Sequence, residues 1–212
     1  MRSIYKIVVC SLLTLSITSC EKDLLEKEQY QKEIYLIGAY NRVWTTEVSY
    51  SNEEVKTYFT VSSSGTLALD RDVNVKMKIN EELVDIYNKK YWTVLNEDKY
   101  YKSLDTDLYS IPSLENTVIK HAEGISAEVP VLIKTASLKI DQSYVIPVEI
   151  ESTTGYPVST SGYKMLVLLK LKNDYSGSYQ MSGHTTLEGE TPKTIQKPKT
   201  IKPTGVNTVR LF

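Results

Sequence analysis

Thiol chemistry is almost absent from this 212-residue chain. Its two cysteines, Cys10 and Cys20, both lie within the first 20 residues. Nothing beyond them can form a disulfide, a thiolate metal site or a cysteine nucleophile. Histidine is as scarce: His121 and His184 stand far apart in the chain, a spacing that supports neither a zinc site nor a hydrolytic triad. An excess of one charge is missing too. Lys and Arg number 25 against 26 Asp and Glu, which leaves no basic footprint for nucleic acid. No glycine loop of the phosphate-cradling type occurs. Asp70/Asp72 and Asp105/Asp107 are Asp-x-Asp pairs, but calcium takes about six to eight oxygens and neither pair brings supporting ligands. Turn chemistry accounts for both pairs. No cofactor and no metal are expected.

What is present begins with a short leader. Arg2 and Lys6 precede an apolar run from Ile7 to Ile17, too short and too polar to span a bilayer and laid out as a secretory signal. Ile17-Thr18-Ser19-Cys20 resembles a bacterial lipobox, which predicts removal of residues 1–19 and lipidation of Cys20. Cleavage takes Arg2 and Lys6 and no acid, leaving 23 basic residues against 26 acidic, a net of −3. Acyl chains hold such an anchor through roughly 0.8 kcal/mol per buried methylene. The charged stretch Glu21-Lys22-Asp23, followed by Leu24 to Glu28, looks like the surface-export signal of Bacteroidetes lipoproteins or, alternatively, a plain hydrophilic tether. The expected location is the outer membrane, lipid-anchored and exposed at the cell surface.

Beyond a tether at residues 20–32, period-two patterning dominates. Strands are predicted at Ile34–Ile37, Val55–Ser62, Val73–Ile79, Thr117–Lys120, Ser126–Lys134, Ser143–Glu151 and Tyr163–Lys172. Val73 to Ile79 alternates apolar and polar without a break. One segment changes period: Asn80 can cap, Glu81 and Glu82 suit a helix start, and Leu83, Ile86, Tyr87 and Lys90 follow at helical spacing. A short helix over Glu81–Lys90 is predicted, then an irregular aromatic-rich stretch from Tyr91 to Pro112. Short strands with one helix indicate an all-β, antiparallel β-sandwich over residues 33–172. Asn173-Asp174 marks a boundary. Past it, Tyr175–Gly183 reads as a strand, Thr191–Gly205 as a solvated loop because of Pro192, Pro198 and Pro203, and Val206–Phe212 as another strand. Residues 173–212 are too few for a core of their own. They read as the start of an incomplete β-barrel, or as strands that join the first domain or pair between chains.

Asp72-Val73-Asn74-Val75-Lys76, Glu82-Leu83-Val84-Asp85-Ile86-Tyr87-Asn88, Ala127-Glu128-Val129-Pro130-Val131 and Tyr144-Val145-Ile146-Pro147-Val148-Glu149-Ile150 together resemble a Bacteroidetes lipoprotein family. The likeness covers about residues 30–172. It implies an immunoglobulin-like (Ig-like) N-terminal domain of unassigned role, encoded with SusC/SusD-type glycan-uptake systems and also found ahead of family-18 endo-glycosidases. The family's usual Leu-Pro near Val94-Leu95-Asn96 is Leu-Asn here. Asn173 to Gly183 resembles the start of the calycin-like barrel that often follows, cut short in this chain.

The acid cluster that a family-18 glycosidase needs is missing, so no enzymatic activity is expected. Tyrosine is abundant, with 16 copies against 2 Phe and 2 Trp. Trp44, Tyr40 and Tyr50, in and beside the polar stretch Asn41–Asn52, either pack the sheet or stack on sugar rings; they are the candidate glycan-stacking residues. Trp92, Tyr100 and Tyr101 fall inside the family-like core pattern and are expected to pack. The reading is a non-catalytic surface lipoprotein that assists glycan capture, with the membrane, glycans and SusC/SusD-like proteins as partners. The alternatives are a structural or adhesive module that binds protein partners through strand edges, or a truncated relic.

Overall fold

The structure, a computed structural model, describes residues 27–139, 142–189 and 191–211. The leader, Cys20 and the start of the tether lie outside the described residues. Among the described residues no helix is long and apolar enough to cross a membrane.

Two sheets face each other. The first has the order β1 (Ile34–Leu36), β3 (Glu54–Ser63), β8 (Ser126–Lys134) and β6 (Tyr109–Ser110). The second has the order β2 (Val43–Ser49), β10 (Lys164–Lys172), β9 (Ser143–Thr153), β4 (Val73–Ile79) and β7 (Thr117–Ile119), with β5 (Tyr101–Ser103) alongside the start of β9. The result is an all-β, Ig-like sandwich. Its pairings are antiparallel except β2 with β10 and β5 with β9, which are parallel. Alternation sets the faces. Val73, Val75 and Met77 of β4 point inward, and Phe59 and Val61 of β3 face them with Val129, Val131 and Ile133 of β8, all buried. The outward face of β4 carries Lys76 and Lys78, paired with Glu151 at 2.6 Å and Glu149 at 3.6 Å.

The period change after β4 produces helix α1 (Glu82–Tyr91). The Asn80 side-chain oxygen accepts the Glu82 N–H at 3.2 Å, so Asn80 caps as its chemistry suggests. Glu82 and Asp85 stand in the first turn and Lys89 and Lys90 in the last, each favourable to the helix dipole. Leu83 and Val84 bury against Val145 and Leu166, which makes a second small core on the outer face of the second sheet. Buried Asn88 ties the helix down: its amide donates to the Tyr101 carbonyl and accepts the Tyr101 N–H, both at 2.9 Å. Tyr87 stacks on Tyr101 at 5.1 Å, and burial pushes its phenol up to about 12. Tyr101 is therefore a packing residue. So is Trp92, half-buried under Lys99.

Two segments differ from the sequence expectation. The polar stretch after Asn41 contains a seven-residue strand, β2. Its threonines and valines favour extended backbone, but as an edge strand half open to solvent it lacks an apolar face that would reveal it. The proline-bearing stretch near the C-terminus is a strand as well. A third sheet runs β11 (Gly177–Thr185), β12 (Lys193–Gly205), β13 (Thr208–Leu211). β13 pairs only with residues 201–205 of β12, so residues 193–200 form a sheet edge, where proline is tolerated.

Phe59 is the largest of the fully buried side chains. Phe59→Ala is expected to lower stability by about 3–5 kcal/mol, read as a shift in the urea midpoint. Asn88→Ala is expected to cost about 1–3 kcal/mol and to speed hydrogen exchange at the Tyr101 amide.

Candidate functional site

Strand β10 reads Lys-Met-Leu-Val-Leu-Leu-Lys-Leu-Lys over 164–172. Met165, Val167 and Leu169 enter the main core, while Leu166 and Leu168 turn to the outer face and pack beneath α1. Past the reach of the helix the same outward positions become Lys170 and Lys172. β2 runs parallel beside it in the register Thr45↔Leu168 and Glu47↔Lys170, which puts Thr45 and Glu47 on that outer face. The Glu47 carboxylate lies between two ammonium groups, 3.3 Å from Lys170 Nζ and 3.0 Å from Lys172 Nζ. Hydrogen bonding from Lys172, then from Lys170, holds the Glu47 carboxyl below its ordinary range.

The chain then turns at Asn173, whose side chain sets the third sheet against β10. Its amide donates to the Gly205 carbonyl at 2.8 Å and the Thr208 carbonyl at 3.1 Å. Its side-chain oxygen accepts the Tyr175 N–H at 3.1 Å, and its backbone N–H reaches Ser176 Oγ at 2.9 Å. Between β10 and the third sheet lies a cleft of about 530 Å³, within the range of small-molecule sites. Its floor is Thr45, Glu47, Leu168, Lys170 and Lys172; Ser178, Thr200 and Lys202 stand on the opposite wall, and Gln142 and Ser143 close one side. Hydroxyls, amides and charged groups converge there on an apolar floor segment. Such a surface can hydrogen-bond a hydroxyl-rich ligand, while the Glu47 carboxylate is already engaged.

The aromatic candidates do not meet in this cleft. Trp44 alternates with Thr45 and so faces the other side of β2, 38% exposed at the sandwich edge. Its ring lies on Gly38, where an added Cβ would come within 2.7 Å of Trp44 Cε3 and where φ is +89°. Tyr40, 67% exposed, belongs to the same turn, with its ring 6.3 Å from that of Tyr35. Tyr50 sits beyond the far end of β2, roughly 20 Å from Trp44 at about 3.3 Å per strand residue. Its hydroxyl donates to the Ala136 carbonyl at 2.9 Å. That end is fixed further by buried Thr135, whose hydroxyl accepts the Ser51 N–H at 2.8 Å. The structure thus brings Tyr40 and Trp44 to one turn and leaves Tyr50 outside it.

His121, isolated in the sequence, is tied to Asp72: Nδ1 lies 2.7 Å and the backbone N–H 3.0 Å from the same carboxylate oxygen. These bonds hold Asp72 below its ordinary range. Asp70 is lowered likewise, by the Arg71 guanidinium and the Tyr156 hydroxyl. Both are structural ties. Among the described residues no group of three or more His, Cys, Asp or Glu is placed to hold a metal. Glu47, Lys170, Lys172 and Asn173 escaped the sequence reading. The alternation at Leu169-Lys170-Leu171-Lys172 is the signal that a strand emerges from cover there, but the opposite wall is supplied by residues tens of positions away.

The architecture is shared with proteins of known structure. A protein of unknown function from Bacteroides ovatus matches with a TM-score of 0.65 at 19% identity over 86% of this chain and 62% of its own. An auxiliary nutrient binding protein from Bacteroides thetaiotaomicron matches at 0.60 and 16% over 82% and 61%. A protein from Bacteroides ovatus proposed to bind carbohydrate matches at 0.51 and 17% over 74% and 43%. At these identities the likeness speaks to the fold, and the chain spans less than two thirds of each of these proteins. No curated protein matches. A family model described as an N-terminal domain matches residues 30–157, and one described as a C-terminal domain matches residues 163–212. The chain belongs to the two-domain family these models define, the Bacteroidetes family with an Ig-like N-terminal domain.

Proposed function

We propose that this protein is a non-catalytic lipoprotein, tethered to the outer membrane through Cys20 and exposed at the cell surface, that assists glycan capture beside a SusC/SusD-like uptake complex. The observation that carries the reading is the cleft between β10 and the third sheet, with its hydroxyl, amide and lysine side chains. The nutrient binding neighbour of the same fold supports it. Glycoside hydrolysis generally employs two carboxyl groups about 5–10 Å apart. Among the described residues lining the cleft there is one, Glu47, and it is clamped between lysines. Binding without turnover is what this set of groups can perform. The Tyr40–Trp44 turn is the second place where a sugar could stack, since both rings are open to solvent.

A module that binds proteins is the other reading. Among the described residues strand β11 pairs with β12 alone, and all nine of its residues are exposed, which leaves its other edge for strand addition. Soluble sugar would not compete with adhesion of that kind.

Affinity electrophoresis of the purified full chain through gels containing plant and host glycans separates these readings. Retardation by a glycan that is weakened about tenfold in Lys170→Gln/Lys172→Gln and unchanged in Trp44→Ala is the expected result. Loss in Trp44→Ala alone would move the site to the Tyr40–Trp44 turn. Migration unaffected by every glycan would overturn capture and leave the adhesive reading.

A further inference from the structure

We infer that the cleft takes an anionic glycan, one whose sugars carry carboxylate or sulfate groups; the inference rests on the capture reading above and specifies its ligand. The local charge count points that way. Among the described lining residues are Lys170, Lys172 and Lys202 and one acid, Glu47, and that acid meets two ammonium groups, those of Lys170 and Lys172. Each ammonium group has three N–H donors, and Glu47 takes one bond from Lys170 and one from Lys172. The two lysines stand on alternate positions of one strand face, about 7 Å apart along the backbone. A ligand oxyanion can therefore reach both while Glu47 stays in place, or displace it. Glu47 is the internal anion against which an external one competes.

The rest of the molecule reinforces this polarity. Residues 175–212 carry five basic side chains and two acidic ones, a net of +3, whereas residues 20–174 carry 18 basic and 24 acidic, a net of −6. A polyanion approaching the protein is repelled by the sandwich and drawn to the third sheet, an orienting field that raises encounter rates. The sheet is also suited to a polymer. Antiparallel register places Ser178 with Thr200, Ser182 with Gln196, His184 with Thr194 and Lys202 with Arg210 on one face. That face gives Ser178, Thr200 and Lys202 to the cleft and continues through Gln180, Ser182, Thr194 and Gln196, while Ile201 and buried Pro203 line the cleft from the other face. Tyr179, Met181 and Ile195 lie on the same face as Ile201 by the same register.

The test is affinity electrophoresis of the purified full chain in gels containing polygalacturonate, chondroitin sulfate, fully methyl-esterified pectin or a neutral glucan. Retardation by polygalacturonate, by chondroitin sulfate or by both is expected, with the responding gel distinguishing carboxylate from sulfate. Methyl esterification should abolish the polygalacturonate effect. Glu47→Gln should tighten anionic binding about tenfold, and Lys170→Gln/Lys172→Gln should weaken it about tenfold. Lys197→Gln/Lys199→Gln, which alters basic residues away from the cleft, should change it less than twofold. Equal retardation by neutral and anionic gels would overturn the inference while leaving capture intact. An unchanged or weaker response in Glu47→Gln, or an equal loss in Lys197→Gln/Lys199→Gln, would also overturn it. Indifference to every gel would instead overturn capture itself.

Discussion

Strand β10 is covered on both faces along its first half and on one face along its second, and the rest of the molecule is arranged around that change. Its inward residues close the main core against the first sheet, and Leu166 and Leu168 lie under α1. Beyond the helix, burial of a second face ends, and lysines take the outward positions because an exposed face tolerates charge. β2 can lie parallel along the whole of β10 only because it pairs through the backbone edge, leaving both faces of β10 to the helix and the cleft. The third sheet follows directly from the same strand, held by the Asn173 side chain. A single nine-residue strand thus sets the core, seats the helix and floors the cleft.

The sandwich was legible wherever one face is buried and the other is not. β4 and β8 show that contrast along their full length, and both begin and end where alternation places them. The helix was legible because its period differs and because Asn80 caps it. β2 was not, since an edge strand at the sandwich rim has few buried positions and reads as a polar stretch. The proline-bearing strand β12 was misread for a related reason. Proline argues against backbone paired on both sides, and β12, though it lies between β11 and β13, is paired on one side at Pro198 and at Pro203 among the described residues, a matter of its neighbours rather than of its own sequence.

The cleft shows the limit of reading sites from composition. Aromatic side chains draw attention because they carry large binding energy, yet Trp44 is turned away from the cleft by one step of strand alternation, and Tyr50 spends its hydroxyl on a loop carbonyl. Lys170 and Lys172 look like ordinary strand-end lysines until the register with β2 sets Glu47 between them. The cleft is a product of register and of the turn at Asn173, neither of which is written in any local motif.

Backbone amide shift mapping by NMR, with the purified full chain titrated with oligogalacturonate, tests the placement of the ligand most directly. The account predicts shifts concentrated at Lys170, Lys172, Ser178 and Thr200, with the amides of Tyr40 and Trp44 unmoved. Shifts confined to the Tyr40–Trp44 turn, or none at saturating ligand, would contradict it.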